Sequence, residues 1–106
     1  MGTYRVKKLH QNKTNTEYFY YEMLLIRRFE ELLFDLFSSG KLSGTIHTSI
    51  GQEAIAVGVL HHLMENDLVI SNHRCHGHYI ARTADVTGLL AEIMGKEGGV
   101  CKGRGG

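Results

Sequence analysis

Proline is absent from these 106 residues, and cysteine occurs only twice. Without proline, and with 42% apolar and 22% charged residues, the composition excludes a collagen-like repeat and an intrinsically disordered chain. Cys75 and Cys101 form neither a CxxC pair nor a disulfide framework, so a reducing cytoplasm is the expected compartment. Charge of one sign is missing too. A formal net charge of +1 creates no long-range field to gather nucleic acid or an acidic membrane. No apolar run reaches the roughly 18–20 residues of a membrane span, because Arg27, Arg28, Glu30 and Glu31 interrupt the longest one. The N-terminus has neither the apolar core nor the small-residue cleavage site of a signal peptide. Neither standard phosphate-loop pattern occurs: there is no GxGxxG between strand and helix, and no GxxxxGK followed by Ser or Thr.

Histidine and glycine are plentiful instead, with seven and thirteen copies, and the glycines crowd towards the C-terminus. The length suits one domain at most, since compact domains usually hold about 100–150 residues. Residues 1–16 contain Arg5, Lys7, Lys8 and Lys13 and no acid, which leaves eight bases against eleven acids in the remainder. Four charges without an aromatic platform make a poor nucleic-acid arm, so a basic, flexible, solvated tail is expected there.

From Thr16 onward the chain reads as helix, loop, helix, strand, helix, helix. Thr14-Asn15-Thr16-Glu17 has capping-box spacing, which places a helix start near Asn15 or Thr16, and Gly40 is the stop. Tyr21, Leu25, Phe29, Leu32, Leu33 and Leu36 recur at helical spacing, with Leu24, Phe34 and Phe37 widening the stripe. Glu22, Arg27, Glu30 and Glu31 fall mostly opposite it. Residues 42–50 form a loop carrying His47. Ser49-Ile50-Gly51-Gln52 repeats the capping-box spacing and opens a second helix over 52–64, where Ala54, Ala56 and Gly58 allow close approach of a neighbour. Glu65-Asn66-Asp67 is a turn. Leu68-Val69-Ile70-Ser71 is a β-branched run consistent with a buried strand. A short helix follows from about His76, and Asp85 caps a last one over 86–94 that Gly95 ends. This order predicts an α/β fold. A lone strand cannot satisfy its ladder groups, and the chain stops inside a stretch with six glycines in twelve residues. It is therefore expected to be an N-terminal fragment, or to be completed by partners.

The densest polar cluster is Ser71-Asn72-His73-Arg74-Cys75-His76-Gly77-His78, directly after the expected strand. Ligands of α/β sheets bind in the crevice beyond strand carboxyl ends, and the guanidinium of Arg74 is a donor fork suited to phosphate oxygens. Three readings stand side by side. One is a diphosphate site with imidazoles adding hydrogen bonds. Another is a zinc site from His73, Cys75, His76 and His78, which has Arg74 in its midst and no second ligand pair at finger spacing. The third is a polar loop with its histidines satisfied by backbone. Cys75 and Cys101 lack a recognisable base and acid set for thiol catalysis.

Five strings taken together resemble one family: Ile26-Arg27-Arg28-Phe29-Glu30-Glu31, Gly51-Gln52-Glu53-Ala54 with His47 ahead of it, His73-Arg74-Cys75-His76-Gly77-His78, Ala91-Glu92-Ile93-Met94-Gly95-Lys96, and Lys102-Gly103-Arg104-Gly105-Gly106. Each is short, and their order and spacing carry the resemblance. Residues 17–106 resemble the N-terminal part of the alpha subunit of the thiamine diphosphate-dependent 2-oxo acid dehydrogenases, the pyruvate, branched-chain and acetoin dehydrogenase group. The resemblance implies an incomplete thiamine diphosphate-binding fold, helices plus the start of a parallel sheet, truncated in a glycine-rich loop. It implies decarboxylation of a 2-oxo acid, foremost pyruvate, with transfer of the acyl group to a lipoyl carrier; acetoin enzymes cleave a hydroxyketone instead.

By the same resemblance His47 is the catalytic candidate, on the loop facing the reactive end of the cofactor, with Gln52 and Glu53 orienting that loop. His73 and Arg74 are the cofactor-binding candidates, Arg74 on the diphosphate; many members have tyrosine where His73 stands. Magnesium is implied, yet the Gly-Asp-Gly motif and the later Asn that hold it in the family are not in these residues. The implied partners are a beta subunit, in an alpha2-beta2 heterotetramer, and a lipoyl-bearing acyltransferase, with no nucleic acid and no membrane. The family's catalytic glutamate comes from the beta subunit, so the 106 residues alone are expected to be inactive. A bacterial-type cytoplasmic location is implied, with no presequence. The reading from another class is a non-catalytic helical interaction module docking through residues 18–37.

Overall fold

The computed structural model describes residues 15–105. Four α-helices follow one another: α1 (Asn15–Ser38), α2 (Glu53–Leu60), α3 (His76–Thr83) and α4 (Val86–Ile93). The basic tail expected over 1–16 lies outside the described residues for its first fourteen positions, as does the signal-peptide region, while residues 15 and 16 open α1.

The 24 residues of α1 make a rod about 36 Å long at 1.5 Å per residue. It ends where the sequence places its stop. Gly40 takes φ +80°, its N–H donates to Phe37 O at 3.1 Å, and Lys41 N–H donates to Leu36 O at 2.9 Å. These bonds satisfy two of the otherwise orphaned last carbonyls.

The buried face of α1 differs from the expected one. Tyr18, Glu22, Ile26, Phe29, Glu30 and Leu33 are buried, whereas Tyr21, Leu24 and Leu32 are exposed. Two acids expected on the polar side are therefore inside. At 100° per residue Glu22 and Glu30 flank Ile26 by one turn each way, so the arc centred on Ile26 includes both. Periodicity of apolar residues alone aims the stripe wrongly, because both carboxylates have partners that draw them inward. Tyr18 Oη–H donates to Glu22 Oε1 at 2.7 Å, and Glu30 serves two loops described below.

Helices α1, α2 and α3 pack mutually, and α4 adds to α3. The core consists of Ile26, Phe29, Leu33, Leu42, Ala56, Val57, Ile80 and Leu89. Burying an aliphatic side chain of this size is worth about 1.5–3 kcal/mol, so these few residues dominate cohesion. The α2–α3 contact is tight at one point: a Cβ on Gly77 would stand 3.2 Å from Ala56 Cβ and 3.5 Å from Ser49 Cβ. Of the three small residues expected to allow close approach, only Ala56 does so; Ala54 is exposed and a Cβ on Gly58 would meet nothing.

α2 is shorter than expected, and Ser49 does not cap it. Gln52 precedes the helix without a side-chain bond. The backbone N–H of Ser49 is engaged by Glu30 instead, while Glu53 accepts the Gly51 N–H at 3.0 Å. Asp85 does cap α4: its Oδ1 accepts Gly88 N–H at 2.9 Å, and its Oδ2 accepts the Tyr79 hydroxyl at 2.9 Å. A Cβ on Gly88 would lie 2.2 Å from that Oδ2, so glycine is what admits the cap.

The expected strand does not form, and no strand occurs among the described residues, so the start of a parallel sheet is not seen there. The turn at Glu65-Asn66-Asp67 is present, fastened by Arg82, which donates to the carbonyls of Met64, Glu65 and Asp67 at 2.9–3.1 Å. Beyond it Leu68 is 93% and Ile70 98% exposed. A strand is defined by a ladder, and no described segment offers this one an edge. β-branched composition supplies the propensity, not the partner.

Candidate functional site

The loop between α1 and α2 and the segment leading into α3 meet beside a cleft of about 240 Å³. Its walls are Thr45, Ile46 and His47 from the first, His73, Cys75 and His76 from the second, and Ile93 and Gly105 from the α4 end and the glycine-rich segment. The imidazoles of His47 and His73 stand edge to face with centroids 4.4 Å apart. Arg74 Nη1 donates to Thr48 O at 2.7 Å, one residue beyond His47. The rest of its donor fork has no partner among the described residues. Asn72 fixes the entry to α3, its Oδ1 accepting Arg74 N–H at 2.9 Å. His47, His73 and Arg74, drawn from segments 26 residues apart, are thus gathered at one place.

Three buried carboxylates hold the segments that form this place. The Glu30 side chain is fully buried; its Oε2 accepts the Ser49 N–H, and its Oε1 accepts from His76 Nδ1 at 2.8 Å. Glu53 receives Arg27 Nε at 2.5 Å and Nη2 at 3.2 Å, together with the Gly51 N–H. The guanidinium of Arg27 holds the Glu53 carboxyl below its ordinary range, outweighing the opposite effect of burial. Gln52 makes no comparable side-chain bond, so of the two residues expected to orient the His47 loop only Glu53 is tied to it.

Glu92 does for the glycine-rich segment what Glu30 does for the other two. Its Oε1 accepts the N–H groups of Cys101 and Gly103 at 2.6 and 2.9 Å, and its Oε2 that of Gly105 at 2.5 Å. A Cβ on Gly99 would lie 2.6 Å from Glu92 Cα, and one on Gly103 would lie 2.5 Å from Gly95 C. The glycine-rich loop is wrapped around a carboxylate, with glycine at 99 and 103 where backbone meets backbone. Sequence reasoning missed Glu30 and Glu92 as anchors. The available signal was an acid inside an apolar arc, Glu30 four residues after Ile26 and Glu92 three after Leu89.

The zinc alternative is not assembled. No group of three or more His, Cys, Asp or Glu side chains among the described residues is arranged to hold a metal ion. His61 is remote from the cleft in character as well: its ring packs on Tyr18 and Phe19 at 4.7 Å each, and burial lowers its pKa. Among the described residues no helix is long and apolar enough to cross a membrane.

A family model described as the dehydrogenase E1 component matches residues 21–106. The alpha subunit of acetoin:2,6-dichlorophenolindophenol oxidoreductase from Bacillus subtilis (strain 168) is 51% identical over 87 residues, which cover 82% of this chain and 26% of that protein. The pyruvate dehydrogenase E1 component subunit alpha of Rhizobium meliloti (strain 1021) is 48% identical over 87 residues, 82% of this chain and 25% of that one. Its mitochondrial counterpart in Saccharomyces cerevisiae is 44% identical over 87 residues, 82% of this chain and 21% of its own. The chain spans about a quarter of the length of the curated relatives it matches. No solved structure matches it.

Proposed function

The chain belongs to the dehydrogenase E1 component family, and from that premise we propose that it forms part of the diphosphate-side pocket of a thiamine diphosphate-dependent 2-oxo acid dehydrogenase alpha subunit. The proposed reaction is decarboxylation of a 2-oxo acid, foremost pyruvate, with transfer of the acyl group to a lipoyl carrier. The observation that carries this reading is the meeting of His47 and His73 in the wall of one cleft, with Arg74 bonded to Thr48 O next to His47. An acetoin-cleaving activity is the second reading, supported by the 51% identity to the Bacillus subtilis subunit.

The donor set suits the cofactor. Arg74 has a charged fork with unused donors beside the cleft, which fits diphosphate oxygens. His73 stands where it can add a hydrogen bond to the same group. His47, whose ring meets that of His73, is assigned in this proposal to donate to a substrate oxygen as charge develops on it. When bound, thiamine diphosphate supplies the carbanion chemistry; the residues here bind, orient and hold protons. In this proposal the magnesium ligands, a Gly-Asp-Gly motif and a later Asn in the family it resembles, belong outside these residues.

A beta subunit in an alpha2-beta2 assembly supplies the catalytic glutamate, and the lipoyl-bearing acyltransferase receives the product. The outward Tyr20 and Phe34 of α1, 68% and 61% exposed, together with Leu68 and Ile70, are apolar surface for the remainder of the enzyme to cover. The 106 residues alone are inactive on this reading. We place the enzyme in a bacterial cytoplasm, although the family also has mitochondrial members.

Calorimetric titration of thiamine diphosphate with magnesium tests the reading. In the complete αβ enzyme, Arg74→Ala should weaken binding by about 1.5–3 kcal/mol, the range for hydrogen bonds to a charged group. Unchanged affinity removes Arg74 from the site. Reduction of 2,6-dichlorophenolindophenol with pyruvate, branched-chain 2-oxo acids or acetoin as donor separates the two readings.

A further inference from the structure

Glu30 has the most completely buried carboxylate of the molecule, yet it does not line the cleft. Taking a carboxylate out of water costs several kcal/mol unless its oxygens are used, and here each oxygen is used by a different segment. Ser49 N–H bonds to Oε2 across 19 residues of sequence, and His76 Nδ1 bonds to Oε1 across 46. Phe29 closes the other side, its ring edge-on to His76 with centroids 6.3 Å apart.

Ser49 lies two residues after His47 and one after Thr48, whose carbonyl receives Arg74 Nη1 at 2.7 Å. His76 lies two residues after Arg74. The bonds therefore close a ring: Glu30 to Ser49, along the chain to Thr48, across to Arg74, along the chain to His76, and back to Glu30. Helix α1, which carries Glu30, is the rigid member of that ring. Without the carboxylate, the hydrogen bonding between the loop bearing His47 and the segment bearing His73 and Arg74 reduces to the bond from Arg74 to Thr48 O, beside the ring contact of His47 with His73.

We propose that Glu30 is a positioning residue that sets how the loop bearing His47 and the segment bearing Arg74 stand relative to each other beside the cleft, while touching no ligand itself. The proposal rests on the diphosphate reading of Arg74. A carboxylate is suited to the task because both oxygens accept. Glutamine at this position can keep an acceptor for the Ser49 N–H only by turning its NH₂ to His76, which must then take the tautomer whose Nδ1 accepts. The charge-assisted bond to a carboxylate is exchanged for a weaker neutral one, and the ring loosens on the His76 side.

The experiment is a double-mutant cycle in the complete αβ enzyme, read as the dissociation constant of thiamine diphosphate with magnesium by calorimetry, with circular dichroism on every variant. Glu30→Gln should weaken binding about ten-fold, the scale seen when a group supporting a ligand-holding residue is removed. In the Arg74→Ala background the same change should cost less than about two-fold, because its effect passes through Arg74. An equal loss in both backgrounds overturns the proposal, since general loosening would be additive. Unchanged affinity of Glu30→Gln also overturns it, while leaving the diphosphate reading intact. Unchanged affinity of Arg74→Ala overturns that reading and this proposal together. If Glu30→Gln does not fold, His76 supplies the measurement. His76→Asn places an amide near the Nδ1 position and should keep affinity within about two-fold, whereas His76→Leu should lose about ten-fold. Equal affinities for these two variants overturn the proposal.

Discussion

Residues 96–105 and residues 61–72 both lie between or beyond helices, and they are built in opposite ways. The first is glycine-rich and bears the cations Lys96, Lys102 and Arg104, yet three of its N–H groups converge on the buried Glu92, and Gly99 and Gly103 sit against backbone. The second contains Leu68, Val69 and Ile70, the apolar run with the greatest strand propensity, and it stands in the open beyond a turn fastened by Arg82. Strand propensity and backbone anchoring are thus reversed. What orders a segment is whether its backbone donors and acceptors find partners. One carboxylate can supply three such bonds, while an apolar run supplies none.

Breaking the first region should have the largest effect. Glu92→Ala removes the acceptor of three partly buried N–H groups, and unfolding free energy should fall by roughly 2–4 kcal/mol at about 1 kcal/mol or more per bond. Hydrogen exchange should quicken at Cys101, Gly103 and Gly105 first; protection retained there would show that Glu92 is not the anchor. Gly103→Ala is next. Its φ of +78° and a Cβ 2.5 Å from Gly95 C predict a loss of about 1–3 kcal/mol by chemical denaturation.

The third prediction concerns the entrance to the second region. His61, at the C-cap of α2, has its pKa lowered by burial, with His62 adding to the effect. The unfolded chain then takes up a proton near pH 6.5 while the folded one does not. Stability should be level above that pH and decline as pH falls below it, until the lower folded pKa is reached. His61→Leu should flatten the profile between pH 7.5 and 5; an unaltered slope would assign the decline to other groups. The smallest effect belongs to the second region itself. Ile70→Ser should change the stability of the 106-residue chain by less than about 0.5 kcal/mol, because a side chain 98% exposed has little burial to lose. A larger loss in the complete enzyme would show that another segment covers it.

Helix ends were legible because their signals are local. Asp85 caps from three residues away, and Gly40 stops α1 through bonds reaching back three and five residues. The order of the motif strings likewise pointed to the family to which the chain belongs. The candidate site was legible as three residues, His47, His73 and Arg74, although nothing in their spacing said that their rings and donors would meet. The inward turn of Glu22 and Glu30 was not legible from periodicity, since a wheel weighted by hydrophobicity pushes acids outward. The partner that reverses the preference of Glu30 lies 46 residues away.

The amino-acid sequence by itself determined the number of helices and where they begin and end to within a few residues, and it nominated His47, His73 and Arg74 as site candidates. Tertiary structure decided which acids are buried, that the glycine-rich segment is ordered, and that residues 68–71 form no ladder. The division follows from the range of the interactions. Caps, turns and helical hydrogen bonds join residues up to about five apart and are written in adjacent letters. A buried carboxylate is stable only when distant donors arrive together, and a strand only when another edge lies beside it.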